Sequence, residues 1–422
     1  MRLDHLHLQN FRCYEDARFD FQPGFNLVVG VNGSGKTSLL QGVATSLIDF
    51  TNTTNNFYTP LPEDIVRLVT NSFETRQRFE RCYPLILEAT GDFDEIKSWT
   101  ISKSRDDGAS SSDRLLHKAI TKRFDRLGDN KNSDLPVIAF YRANRQWIIT
   151  DLSAEFAITQ KHSRLYGYKN WSHAALSMED IESWVIAKMF ERLEGISLFG
   201  KPELEEDELS LVNLALRIAL PGTLGIRYNV KLRTLMLDMS NDTSIRFQDL
   251  SDGQRGFVAL FIDIARRICI LNPQMGSKAL INTSGVILID ELDIHLHPAW
   301  QRNIAPALKK AFPKVQFIAT SHSPQVIGSL QPEEVILLHN GDSSHPTATY
   351  GLDSSSILEA VMGVEQRLPE IEELLNEMFT SLENNELEKA RQQLKALKKK
   401  APDLPEYAGA EALLRRKEII GR

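Results

Sequence analysis

The chain has 422 residues, 42% of them hydrophobic and 25% charged, and a formal net charge of −7. That length can bury a large core in about two or three lobes, and the acidic balance excludes a uniformly basic nucleic-acid coat while leaving room for a local basic stripe. No apolar run reaches the roughly 18–20 residues that span a bilayer, and Met1-Arg2-Leu3-Asp4-His5 carries no signal-peptide core, so a cytoplasmic protein with no membrane partner is expected.

Leu3 to Leu8 alternates and predicts a strand with Leu6 and Leu8 on one face and Leu3, His5 and His7 on the other. Two histidines without a third ligand read as strand-face side chains. Cys13, Cys82 and Cys269 have neither pairing nor metal-ligand spacing and read as reduced. A strand at Ala17 to Phe21 and the turn Pro23-Gly24 lead into an apolar run, Phe25 to Val29. Gly30-Val31-Asn32-Gly33-Ser34-Gly35-Lys36-Thr37 follows and opens a helix predicted over Lys36 to Ile48.

Strand, G-x-x-x-x-G-K-T, helix is the phosphate-binding loop. Its glycines let backbone N–H groups point at phosphate oxygens, and the helix start adds positive partial charge. Lys36 can reach the β- and γ-phosphates, and the Thr37 hydroxyl can ligate Mg²⁺. The chain therefore reads as a binder of a nucleoside triphosphate.

Thr51 to Asn56 reads as a polar loop, Pro62-Glu63-Asp64 as the start of a short helix, and Tyr83 to Ala89 with Ile96 to Ser102 as paired strands. Ser104 to Ser112 is a Ser/Asp/Gly-rich loop. Arg114 to Leu127 reads as a basic helix, with a solvated face as its ordinary reading and DNA contact as its functional one. Leu135 to Tyr141 is an apolar strand ending in Arg142-Ala143-Asn144-Arg145-Gln146-Trp147, polar groups placed to sense a γ-phosphate or a metal-bound water. Ile148 to Gly200 and Glu203 to Ala219 read as helical, without the sustained heptads of a long coiled coil.

Three short strands are predicted at Ile226 to Val230, Thr234 to Asp238 and Thr243 to Phe247. Leu250-Ser251-Asp252-Gly253-Gln254 then precedes a buried helix, Phe257 to Leu271, and can form a second phosphate cradle from the Ser hydroxyl and Gly N–H groups. Gly285 to Ile289 is a buried strand ending in Asp290-Glu291, and a helix starts at Pro298. Val315 to Thr320 is a buried strand ending in Ser321-His322-Ser323, and Val335 to Leu338 is a last core strand. Asp290 can hold Mg²⁺ through water, Glu291 can act as general base, and His322 can contact the γ-phosphate. The tail repeats apolar residues at helical spacing, from Ile371 to Leu382 and Leu387 to Leu397, with a last helix over Glu411 to Ile420.

The order phosphate loop, LSDGQ, strand plus Asp290-Glu291, strand plus His322 resembles the ABC-type ATPases, whose signature is LSGGQ. Asp252 replaces the first glycine of that pair. Transporter members carry a proline after the glutamate, where this chain has Leu292-Asp293-Ile294-His295-Leu296-His297-Pro298. That run and Leu8-Gln9-Asn10-Phe11-Arg12 are similar to the RecF, SMC and overcoming-lysogenisation-defect group, which makes His295 and His297 structural loop residues. Long coiled coils and acidic Toprim signatures are missing, so no nuclease site in this chain is expected. LPVIAFYRANRQW and RLYGYKNW are most similar to the PtuA-type ATPases of Septu and related retron systems, which work with an HNH nuclease in anti-phage defence.

This resemblance implies an α/β fold: an ABC-type ATPase head, a mixed β lobe plus a parallel-sheet core, with a helical insertion and a helical C-terminal appendage. The segments expected are 1–102 and 223–345 for the head, 103–222 for the helical insertion and 346–422 for the appendage. It implies ATP and Mg²⁺ as ligands and a homodimer or higher homo-oligomer in which one subunit's signature completes another's site. One subunit would contact nucleotide through Arg12, Gly30, Asn32, Gly33, Ser34, Gly35, Lys36, Thr37 and Ser38, the other through Ser251, Gly253 and Gln254. Thr37, Asp290 and Gln146 would serve the metal; Glu291 and His322 would serve catalysis. The function implied is an ATPase that regulates a separate nuclease, with possible contact to DNA or retron RNA/DNA; the alternative is a RecF-like repair ATPase acting directly on DNA.

Overall fold

Phe25–Val29, Val137–Tyr141, Gly285–Ile289 and Val315–Thr320 are buried at every position. Strands with no polar face belong in a parallel sheet covered on both sides. In the computed structural model they do so, in the order Asp342–Ser344, Val335–His339, Phe25–Val29, Val315–Thr320, Gly285–Ile289, Val137–Tyr141. All neighbours are parallel except the first pair, an antiparallel hairpin at one edge. The structure describes residues 1–51, 61, 63–73, 76–93, 96–105, 111–112, 118, 120–121, 133–145, 163–174, 178–199, 207–339, 341–363 and 367–420. Gln146, the loop after Thr51 and most of the basic segment 114–127 lie outside the described residues.

The carboxyl ends of the parallel strands share one edge. The phosphate loop, Arg142 to Arg145, Asp290-Glu291 and Ser321-His322 therefore converge there. The helices Lys36–Ser46 and Asp252–Leu271 bury long apolar faces in the same unit. Phe261, Phe312 and Phe317 continue the core ring to ring, with centroids 6.1 and 6.5 Å apart.

A second, antiparallel sheet runs Tyr14–Asp20, Arg2–Phe11, Leu85–Phe93, Ile96–Lys103, Ser111–Ser112. Trp99 and Gln316 help fasten it to the phosphate-loop core. The Trp99 indole N–H donates to the Ser46 carbonyl at 2.8 Å, satisfying a helix-end acceptor. The buried Gln316 amide receives the Leu3 N–H at 2.8 Å and donates to the carbonyls of Leu3 at 2.7 Å and Gln22 at 3.0 Å.

Several boundaries differ from the expectations, each for a local reason. A register shift between Leu3 and His5 turns Leu3 inward, so Leu3, Leu6 and Leu8 are all buried. His5 instead meets Asp20, and His7 bridges Asp16 and Glu88 at 3.1 and 3.0 Å. The helix expected from Phe257 begins at Asp252, because Ser251 and Gln254 form a reciprocal cap. The last helix begins at Glu406, directly after Pro405. The hairpin Leu68–Phe73 with Arg76–Arg81 carried no clear alternation in the sequence. Val137–Tyr141, inside the segment expected to be a helical insertion, is an edge strand of the core sheet.

Contacts divide the chain into two compact units, Met1–Ser354 and Ser355–Arg422. In the second unit the helices Pro369–Glu383, Leu387–Lys400 and Glu406–Ile420 follow the short helix Ser354–Ala360. Leu375, Met378, Leu382, Leu394, Leu397 and Tyr407 form its own core. Among the described residues no helix is long and apolar enough to cross a membrane, and Cys13, Cys82 and Cys269 are unpaired.

Gln316 makes a specific prediction about this frame. Gln316→Ala strands the buried N–H and carbonyl of Leu3, while the Gln22 carbonyl keeps its bond from the Asn26 amide at 2.9 Å, and should lower unfolding free energy by on the order of 3 kcal/mol. Urea denaturation measures this; a loss under about 0.5 kcal/mol, the range of neutral surface changes, would contradict it.

Candidate nucleotide site

Gly33 and Gly35 hold φ values of +83° and +102°, which bend the loop between strand and helix. Gly35 also lies against the floor of the site. A Cβ there would come within 2.5 Å of the Tyr14 hydroxyl, which donates to the Gly35 carbonyl at 2.9 Å. Lys36 is buried, and its Nζ donates to the carbonyls of Gly30 and Val31 at 2.8 and 2.9 Å. The Ser34 N–H donates to the Val31 carbonyl at 3.2 Å, while the Ser34 Oγ is buried without a partner. Asn32 stands exposed at the loop tip, and Ser38 is half-buried in the first helical turn.

Register brings the second half of the site to this loop. Ile289 pairs with Ala319, so Asp290 stands level with Thr320. The Asp290 carboxylate, 4% exposed, accepts from the Thr320 hydroxyl at 2.7 Å and from the Thr37 hydroxyl at 3.0 Å. Glu291 follows with an exposed side chain and a left-handed backbone, φ +49°. Its N–H donates to Thr320 Oγ1 at 2.8 Å. Arg145 donates to the carbonyls of Asp290 at 2.5 Å and Glu291 at 2.8 Å. Burial lowers the Arg145 guanidinium to about 10, against the raising effect of Asp290, Glu291 and Asp293.

Burial also lowers the Lys36 ammonium, opposed by Asp290 and Glu291. His322, half-buried after strand Val315–Thr320, is pushed down by burial and then by the Lys36 charge. A neutral imidazole at neutral pH can donate from one nitrogen and accept at the other.

The signature segment is built as a helix start. Ser251 Oγ accepts from the Gln254 N–H at 3.3 Å, and Gln254 Oε1 accepts from the Ser251 N–H at 3.0 Å. Ser251 is exposed, and among the described residues its hydroxyl donates to no acceptor. A Cβ on Gly253 would come within 2.0 Å of the His295 carbonyl, so only glycine fits there. The hydrogen bonds of the phosphate loop run to Tyr14, Asp290 and the loop itself, whereas Ser251 and Gln254 bond to each other. His297 Nδ1 accepts from the Ala299 N–H at 3.3 Å and so caps the helix Pro298–Ala311. Arg12 pairs with Asp64 at 3.3 Å, and Gln146 lies outside the described residues.

Sequence reasoning passed over Tyr14, Arg145 as a clamp on backbone carbonyls, and Thr320. Strand register exposes Thr320: a hydroxyl ends the strand beside the one that ends in Asp290. Nothing local in the sequence marks Tyr14.

The donor set suits the implied ligands. Thr37 and Asp290 offer a hydroxyl and a carboxylate together, hard oxygen ligands of the kind Mg²⁺ takes. Lys36 and the helix N-terminus at Gly35 face the same loop with N–H donors for phosphate. The electrostatics predict that His322 titrates below its ordinary 6.5 and that Lys36→Ala moves its midpoint upward, because a cation leaves while burial stays. NMR titration of the imidazole measures both; a downward shift in the variant would contradict this arrangement.

Residues 25–328 match the family described as "AAA domain, putative AbiEii toxin, Type IV TA system". The chain is 27% identical to the "Retron Ec83 probable ATPase" of Escherichia coli, over 88% of this chain and 78% of that one. It is 26% identical to the "Retron Vc95 probable ATPase" of Vibrio cholerae, covering 89% and 82%, and 27% identical to the "Septu protein PtuA" of Bacillus thuringiensis, covering 88% and 87%. With its family match running from the strand that leads into the phosphate loop to beyond His322, the chain belongs to this AAA-domain family and is an ABC-type ATPase akin to those of retrons and Septu.

Proposed function

We propose that this chain hydrolyses ATP at a site shared between two copies and uses that cycle to regulate a separate nuclease, of HNH type, in anti-phage defence. One observation carries the ATPase part: Thr37 and Asp290, 253 positions apart, meet at 3.0 Å with Glu291 beside them. The phosphates would lie along the N–H groups of the phosphate loop, with Lys36 turning from the Gly30 and Val31 carbonyls to their oxygens. Glu291 would take the proton of the attacking water, and neutral His322 would donate to the γ-phosphate. A Mg²⁺ ion held by Thr37 and Asp290 would supply charge neutralisation.

The shared site is supported by where the signature's groups go. Ser251 and Gln254 bond to each other, and the exposed Ser251 hydroxyl, which donates to no acceptor among the described residues, could donate to a phosphate held by a second copy. A phosphoryl transfer that rests on positioning is switched by whatever completes the position. The effector part is supported by the retron and Septu names of the relatives that cover most of the chain. On this reading the chain has no nuclease site of its own.

A mixing experiment tests the shared site. Lys36→Ala and Ser251→Arg should each abolish hydrolysis, and each at its own position. Equal mixing should restore about a quarter of wild-type activity, since half of randomly formed symmetric pairs then carry one intact site. No recovery, with both variants folded and still assembling, would contradict a shared site. Glu291→Gln should bind ATP and accumulate as the ATP-bound assembly in size-exclusion chromatography; hydrolysis at the wild-type rate would remove Glu291 from the base role. For the effector, affinity capture from native cells with ATP present should recover a nuclease; recovery of DNA alone would favour direct action on DNA in the manner of RecF.

A further inference from the structure

Glu291 is a non-glycine residue with φ +49° at the end of a core strand. Such a backbone is strained for a residue with a Cβ and persists only where neighbours hold it. Two neighbours hold it here. Thr320 Oγ1 accepts the Glu291 N–H at 2.8 Å. The Arg145 guanidinium bridges two successive carbonyls, Asp290 at 2.5 Å and Glu291 at 2.8 Å. One nitrogen of that guanidinium also donates to the Arg142 carbonyl at 3.2 Å, tying the fork to its own turn.

We infer that Arg145 is a positioning residue for ATP hydrolysis: its guanidinium fixes the Asp290–Glu291 peptide so that the Glu291 carboxylate faces the attacking water. The inference rests on the base role of Glu291 proposed above. Among the described residues the hydrogen bonds of Arg145 go to main-chain oxygens and none to the phosphate loop. The guanidinium is half-buried, and backbone carbonyls take its donors on the buried side.

The clamp has an anchor. Tyr141, four residues before Arg145, donates from its hydroxyl to Asp263 at 2.9 Å in the middle of the helix that Ser251 caps. The Asp290 N–H donates to the Tyr141 carbonyl at 2.8 Å. Arg145 further lines a cavity of about 320 Å³ with Arg255, Phe257 and Leu292, between the start of that helix and the turn after Glu291. The fork therefore sits where the signature helix and the catalytic turn meet. Lysine cannot replace it, because a single ammonium does not reproduce a planar fork across two carbonyls.

The test uses the full chain. Arg145→Ala should bind ATP with wild-type affinity, since Lys36, Thr37 and the Asp290 side chain are unchanged, while kcat falls about ten- to a hundredfold. Arg145→Lys, which keeps the charge and guards against a folding failure of the alanine variant, should lose kcat as well. In single-turnover assays, Arg145→Ala combined with Glu291→Gln should be no slower than Glu291→Gln alone, because both changes act on one carboxylate. A purely structural role would lower thermal stability and ATP binding together and would not give that non-additivity. Three results would overturn the inference: wild-type kcat in Arg145→Ala, full rescue by Arg145→Lys, or a double variant slowed by the full Arg145→Ala factor. A wild-type rate in Glu291→Gln alone would instead strike down the base role. A wild-type rate in Arg145→Ala beside an inactive Glu291→Gln would strike down the clamp and leave the base role standing.

Discussion

The Asp290 carboxylate, nearly sealed from solvent, accepts from two hydroxyls on different elements, Thr37 at the start of a helix and Thr320 at the end of a strand. A buried carboxylate is tolerated only where its oxygens are hydrogen-bonded. Satisfying Asp290 therefore fixes three strand ends relative to one another. The parallel sheet supplies the register, the phosphate loop supplies Thr37, and the turn beyond Asp290 projects Glu291 into solvent.

The motif residues were legible from spacing because each follows a run of buried apolar residues that can only be a core strand. Phe25–Val29, Gly285–Ile289 and Val315–Thr320 announce themselves, and the residues directly after them are the site. What joins the motifs was less legible. Thr320 and Arg145 act across strands, and cross-strand neighbours are not adjacent in sequence. Tyr14 supports Gly35 from another sheet. The start of the signature helix was placed five residues late because Ser251 and Gln254 resemble loop residues until they are recognised as a reciprocal cap. The inward turn of Leu3 followed from a register shift, which alternation alone does not reveal.

Beneath the site lies a buried charged knot. Asp263 pairs with Arg266 at 2.5 Å and Arg267 at 2.7 Å and accepts from Tyr141 at 2.9 Å. The two arginines hold its carboxyl well below the usual carboxylate range despite complete burial. Arg267 also donates to the carbonyls of Gly167 and Lys169, both at 2.9 Å. The signature helix, the edge strand that leads to Arg145 and the segment around Tyr168 are thus pinned at one point. Partial breakage would leave an unpaired buried charge, so these elements are expected to move together.

The central claim is that one chain holds only part of a working ATPase site. Steady-state hydrolysis per chain, followed as the protein is diluted under saturating ATP and Mg²⁺, tests it most directly. The account predicts a rate per chain that falls toward zero on dilution and reaches a plateau as copies associate. A rate per chain that stays constant down to concentrations where light scattering finds only monomers would contradict it.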